Sequence, residues 1–158
     1  MRLASLRDSP DAFGATLEEG LTRSEDQWRD GLAGRVQFVA FAGKEPVGTA
    51  GGIVAATGDA VELVSMWVRR DHRREGVGGR LIGAVVDWAQ SLRVNELRLW
   101  VVEDNLVAER AYAKNGFSRT GAVQLVRPGE PRMEFEMVRR LDALPGRRPV
   151  RVLGEGPL

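Results

Sequence analysis

Apolar and polar residues alternate along Val36–Ala42 (VQFVAFA), and this period of two predicts a half-buried strand. A second strand is predicted over Val47–Ala56. It is softened by Gly48, Gly51 and Gly52, which points to a bulge or a close neighbour. After the turn Thr57-Gly58-Asp59 a third strand covers Val61–Val68. The period then changes. Leu81, Val85, Ala89 and Leu92 recur at helical spacing and predict a helix from Gly76 to about Leu92. Leu97–Val102 predicts a fourth strand, and Asn105 an N-cap for a helix through Lys114 that Asn115-Gly116 ends. Phe117 opens a last pair of strands, roughly to Val126 and over Met133–Arg140, joined by the turn from Arg127 to Pro131. Upstream, Arg2–Leu6 is short and helical, Ser9-Pro10-Asp11 breaks it, and a loop runs to Gly14. One helix is predicted over Thr16–Leu32, with Trp28 and Leu32 on one face and Gly34 closing it. Strands flank helices throughout, so the expected class is a mixed α/β domain with an antiparallel majority and one parallel pairing. That domain covers residues 1–143, and a Pro/Gly/Arg-rich tail covers 144–158.

Composition narrows the function. With 158 residues, 43% of them apolar and 28% charged, the chain can bury one ordinary core. No apolar run approaches the roughly 20 residues of a membrane span, and no signal peptide opens the chain, so a cytoplasmic address is expected. The absence of Cys excludes a disulfide framework, a thiolate metal site and a cysteine nucleophile. A single His, His72, excludes a multi-histidine metal centre and argues against a Ser-His-Asp triad. No metal is expected. The 23 basic and 22 acidic side chains leave a formal charge of +1, which predicts no general attraction to nucleic acid.

The basic residues nevertheless cluster. Arg69, Arg70, His72, Arg73, Arg74 and Arg80 surround Gly76, Gly78 and Gly79, where the Val61–Val68 strand gives way to a helix. Glycines let the backbone approach an anion, and the first helical turn offers unpaired N–H groups and a positive dipole end. The combination suits a small polyanion. Taken alone, a glycine cluster here also serves as a tight strand-to-helix turn. A Walker A loop does not fit, because Arg80-Leu81 stands where Lys and Ser or Thr are needed. Nor does a dinucleotide fingerprint, whose third glycine would fall on Leu81.

The spacing Arg73-x-x-Gly76-x-Gly78 resembles the pyrophosphate-binding segment of the GNAT superfamily, the Gcn5-related N-acetyltransferases. A second run carries the same resemblance: Val102-Glu103-Asp104-Asn105, Ala108, Ala111-Tyr112, then Lys114-Asn115-Gly116-Phe117. Both segments stand in consistent order between Val61 and Phe117. The resemblance implies a GNAT fold and direct transfer of acetyl from acetyl-CoA to a primary amine of a small molecule or peptide. The alternative is a non-catalytic acyl-CoA sensor on the same fold. Tyr112 matches the family's usual general acid, which protonates the departing thiolate; a buried aromatic is the structural alternative.

The incoming amine must lose a proton, and Glu62 is the candidate base, because an idle carboxylate in so apolar a strand is costly to bury. Glu62 is expected to share a strand face with Met66, roughly 13 Å away. The structural alternative is a strand-end Glu facing water. Glu103 is a weaker candidate base. Trp100 stands five residues before Asn105, where N-terminal-protein acetyltransferases often place Glu, and this counts against ribosomal-protein-type substrates. The resemblance further implies cofactor contacts. Backbone groups of Met66, Trp67 and Val68 would meet the pantetheine amides. Arg73, Arg74, Glu75, Gly76, Val77, Gly78 and Gly79 would cradle the pyrophosphate. Asn105 would bond the pantetheine arm, although capping explains it equally. His72 is expected to be a loop residue, and Trp67, Trp88 and Trp100 to be core.

Members of this superfamily usually begin with a strand before the first helix, and that strand is expected to be missing here. Val150–Leu153 in the tail is a candidate replacement, pairing with Val36–Ala42 within the monomer or across a homodimer. The alternative is an unstructured tail.

Overall fold

The computed structural model describes residues 1–141. Among them, six strands form one sheet: β1 (Arg35–Ala42), β2 (Glu45–Val54), β3 (Ala60–Val68), β4 (Glu96–Val102), β5 (Ser118–Leu125) and β6 (Met133–Arg140). Their order is β1-β2-β3-β4-β6-β5. Each pairing is antiparallel except β3–β4, which is parallel and short, joining Ala60–Glu62 to Glu96–Arg98. The helices are α1 (Arg2–Asp8), α2 (Leu17–Thr22), α3 (Glu25–Asp30), α4 (Val77–Ser91) and α5 (Leu106–Lys114). No helix among the described residues is long and apolar enough to cross a membrane.

The expected period-3.6 stripe builds the core. Val77, Leu81, Ile82, Val85, Val86 and Ala89 of α4 are buried against Val61 and Leu63 of β3 and Leu97, Leu99 and Val101 of β4. Leu92 falls just past the helix and is 43% exposed. Glycine makes this packing possible at one place in particular: a Cβ on Gly52 would lie 2.6 Å from a ring carbon of Trp88. The close neighbour expected near these glycines is that indole.

The expected bulge in β2 is present beside Gly48: Ala40 pairs with Gly48 and Phe41 with Pro46, so Val47 is an extra residue. A further bulge lies in β3. Thr49 pairs with Trp67 and Gly51 with Val64, so Ala50 alone faces Ser65 and Met66. Ser65 takes the left-handed backbone conformation, at φ +54°. One extra residue reverses the alternation beyond it. Val61 and Leu63 face α4, and after the bulge so does Met66, whose Cε would lie 3.3 Å from a Cβ on Gly78. Glu62 and Val64 face the opposite side, as does Trp67, whose indole N–H donates to Asp8 of α1 at 3.0 Å. Glu62 and Met66 therefore do not share a face, contrary to expectation, because the bulge between them reverses the alternation.

The helix expected over Thr16–Leu32 is two helices. Ser24 starts a second N-terminus: its hydroxyl accepts from the Gln27 N–H at 3.3 Å, and the Gln27 side chain accepts from the Ser24 N–H at 2.8 Å. Thr16 and Glu19 make the same reciprocal box for α2. Two local caps outweigh continuity, and Arg23 between them is extended. β1 forms one edge of the described sheet, and the Val150–Leu153 segment expected beside it lies outside the described residues.

Candidate active site

The β3–β4 ladder ends after Glu62 and Arg98. Beyond it, the two strands line a cavity of about 260 Å³. Glu62, Ser65 and Met66 enter it from β3, Trp100 from β4, and Tyr112 from α5, while Phe13 reaches it from the N-terminal segment. A cleft between parallel strands that have stopped pairing leaves backbone N–H and C=O groups turned toward it. An extended, amide-bearing arm is the ligand such a cleft can accommodate by adding a strand.

The glycine turn abuts this cleft. Gly76 takes φ +77° and Arg74 φ +70°, two left-handed residues that fold the chain into the start of α4. No side chain caps α4, and inside the helix the N–H groups of Val77, Gly78 and Gly79 have no carbonyl four residues back. The donors are thus available where the dipole favours an anion. Gly78 packs beside Met66, a lining residue of the cavity, and Gly79 beside Asn115 at the end of α5. Turn and cleft form one continuous surface.

The arginines divide. Arg74 is exposed and makes no ion pair among the described residues. Arg73, expected in the phosphate cradle, is held elsewhere. Its Nε donates to the Val68 carbonyl at 2.8 Å, and its Nη2 donates to Asp8 and, at 3.2 Å, to Ser9. It fastens the loop to α1 and also occupies the Val68 carbonyl expected to meet a pantetheine amide. Arg80 Nη1 reaches the Glu75 carbonyl at 3.4 Å. His72 is the expected loop residue, bridging Arg69 at 2.8 Å and Glu75 at 3.0 Å.

Tyr112 is half-buried, edge-on to Phe117 with ring centroids 5.8 Å apart. Its hydroxyl has no hydrogen-bond partner among the described residues, and burial raises its pKa above the ordinary phenol value. Glu62 is half-buried and likewise makes no hydrogen bond or ion pair among the described residues. Asn105 is the expected N-cap, its Oδ1 accepting from the Ala108 N–H at 3.2 Å, and it also lines the cavity. Glu103 is exposed and outside the lining. Trp67 is core, at 7% exposure, but half-buried Trp100 faces the cavity. Among the described residues, no cluster of three acidic or histidine side chains could hold a metal ion.

Three residues at the site escape a reading of the sequence. Ser65 interrupts the apolar strand VELVSMWV, the one local signal of the bulge. Glu134 reaches the cavity only because β6 pairs with β4. Asp8 gathers Trp67 and Arg73 from positions far along the chain, together with its neighbour Ser9. Burial pushes its pKa up, but these hydrogen bonds and the charges of Arg73 and Arg70 outweigh that and hold it below the ordinary carboxylate value.

Residues 4–117 match the Acetyltransferase (GNAT) family. No curated protein sequence matches the chain. Solved structures share its fold at low identity. Spermidine N-acetyltransferase from Vibrio cholerae, in complex with CoA and spermine, is 18% identical over 88% of this chain and 86% of its own, with a TM-score of 0.70. The ribosomal-protein-S18-alanine N-acetyltransferase from Escherichia coli is 18% identical over 89% and 87%, at 0.65. Nourseothricin acetyltransferase is 21% identical over 70% and 67%, at 0.64. With its glycine turn, interrupted strand pairing and a family match over most of its length, the chain belongs to the GNAT acetyltransferase family.

Proposed function

We propose that the protein transfers the acetyl group of acetyl-CoA directly to a primary amine of a small molecule or peptide. The observation that carries this reading is the single cavity that brings Glu62 and Tyr112 together beside the phosphate-type turn. The CoA pyrophosphate would sit on the N–H groups of Val77, Gly78 and Gly79, with Arg74 and Glu75 flanking and Gly76 setting the turn. Backbone groups of Met66, Trp67 and Val68, with Asn105, would hold the pantetheine arm in the place of a strand. Arg73 supports the turn from behind rather than touching phosphate.

Acetyl-CoA, when bound, supplies a thioester whose acyl carbon accepts the amine: a C–N bond forms and the C–S bond breaks. Glu62 takes the proton that the ammonium must lose, directly or through water. Tyr112 faces the departing thiolate. With a thiol pKa near 8.5 and a phenol raised by burial, complete transfer of the Tyr112 proton is uphill. Its part is a hydrogen bond donated to the sulfur as charge develops there.

Release of free thiol from acetyl-CoA over a panel of amines tests the reading. Amine-dependent release supports it. Tight acetyl-CoA binding with no release for any amine would instead indicate the sensor.

A further inference from the structure

On the Glu62 side of the sheet lies a second cavity of about 200 Å³, and Ser65 lines both cavities. Three guanidinium groups converge on the second one: Arg2 from α1, Arg23 from the α2–α3 junction, and Arg35 from β1. None of the three forms an ion pair or a side-chain hydrogen bond among the described residues. Two of their nitrogens, Arg2 Nη1 and Arg35 Nε, are fully buried with no hydrogen-bond partner among the described residues. Glu19 also lines the cavity and offsets part of the Arg23 charge. The Thr16 hydrogen bond, and then the charges of Arg127 and Arg23, hold its pKa down, but its oxygens are hydrogen-bonded to the Thr16 N–H at 2.7 Å and to Arg127 at 3.2 Å.

A folded chain rarely leaves buried donors unsatisfied or gathers like charges without compensation. Burial, and then the charges of Arg35 and Arg23, lower the pKa of Arg2, so the cluster is under electrostatic stress as it stands. Its placement is nevertheless fixed. Arg2 lies over the Phe13 ring at 4.6 Å and Arg23 over Trp28 at 5.1 Å. Stacking engages the faces of these groups and leaves their N–H edges free, the geometry that recognises an oxyanion in a forked arrangement.

Strand register places the cluster relative to the chemistry. Arg35 pairs with Ile53, and Ile53 with Glu62, so Arg35 and Glu62 share one face two strands apart, about 10 Å at ordinary strand spacing. We propose that the Arg2–Arg23–Arg35 cavity is an anion subsite for the acceptor, holding the carboxylate or phosphate of an amine whose nitrogen lies at Glu62. The inference rests on the acetyl-transfer reading and narrows its substrate class to amines that carry an anionic group. Polycationic amines are disfavoured by the same charges.

The test compares ω-aminoalkanoates, their uncharged amides, the matching diamines and aminoalkyl phosphates as acceptors, at constant ionic strength. The subsite predicts that the anionic acceptors exceed the amides in kcat/KM by roughly 10- to 100-fold, the worth of one charge-assisted hydrogen bond, with the diamines lowest. The better of the carboxylate and phosphate series identifies the anion. Arg35→Gln should erase the preference by raising KM for the anionic acceptor, with the KM for acetyl-CoA as internal control. The variant's melting temperature should hold or rise, because a like charge has been removed; a purely structural arginine would lower it and weaken every acceptor alike. Equal rates across the series, or a preference that survives Arg35→Gln, would overturn the subsite. If no amine is acetylated, the acetyl-transfer reading fails, and titration calorimetry with an ω-aminoalkanoate and with inorganic phosphate decides the subsite alone. Binding lost in Arg35→Gln upholds it, and no binding to the wild type refutes it.

Discussion

Tyr112 and Glu62 share one cavity, and neither the hydroxyl nor the carboxylate has a hydrogen-bond or ion-pair partner among the described residues, so each polar group can be altered with little disturbance around it. Tyr112→Phe keeps the edge-on ring contact with Phe117 and removes only the donor. Its kcat should fall by about 10², the worth of one hydrogen-bond donor aimed at developing charge, while acetyl-CoA affinity is kept; a full-rate variant would return Tyr112 to a packing role. Because burial raises the phenol, the protonated form persists above pH 10, and the wild-type rate should not fall at that pH through Tyr112 ionisation. Glu62→Gln leaves the amine to lose its proton unaided. Below the amine pKa, near 10.4 for a lysine-like acceptor, the variant's kcat/KM should climb about tenfold per pH unit, and an unshifted profile would place the base elsewhere. Both residues can be picked out from the sequence for local reasons: a lone Tyr seven positions beyond a helix-capping Asn, and a carboxylate in an apolar strand. Ser65 and Asp8 cannot be, since one acts through strand register and the other through contacts made across the whole domain.

At the scale of elements, periodicity located the strands to within a residue or two, as with Val36–Ala42 against the observed Arg35–Ala42. It failed where a short-range device competed with it. The Ser24–Gln27 box split one expected helix, and a one-residue bulge reversed the face of Met66. Gly48 and Gly52, two of the glycines expected to loosen β2, also make room for α4, which gives a stability prediction. Gly52→Ala puts a Cβ 2.6 Å from the Trp88 ring and should cost about 1–3 kcal/mol, seen as a lower melting temperature. The turn before α4 offers a binding test with little steric interference, because a Cβ on Gly79 would meet only Asn115 Oδ1, at 3.6 Å. Gly79→Asp should fold and yet lose acetyl-CoA binding by calorimetry, since it places a negative charge among the donors. Unchanged affinity would move the phosphates elsewhere.

Over the whole molecule, Asp8 ties the N-terminal segment to the sheet through Trp67 and to the phosphate-type turn through Arg73. Its depressed pKa means that the unfolded chain takes up the proton first as the solution is acidified. The stabilisation is therefore present above about pH 4 and lost as the pH falls below it. Asp8→Asn should lower stability at neutral pH by about 1–2 kcal/mol, a modest figure because Arg73 remains partly solvated, and should flatten the wild-type decline below pH 4 in chemical denaturation. The sheet itself is joined at its middle by only three residue pairs, Ala60–Glu62 with Glu96–Arg98. β1 to β3 lie on one side of that seam, β4 to β6 on the other, and α4 packs across both. A ligand that completes the seam belongs to the folded state alone, and at 100 times its Kd it adds about 2.7 kcal/mol. Amide hydrogens along Leu63–Met66 and Leu99–Val101 should then exchange faster without acetyl-CoA than with it. Under the proposed function the same linkage would reach protein lifetime in a cell: when acetyl-CoA ran low, the opened form would become more populated and proteases would meet it more often. The abundance of the protein would then follow the supply of the thioester.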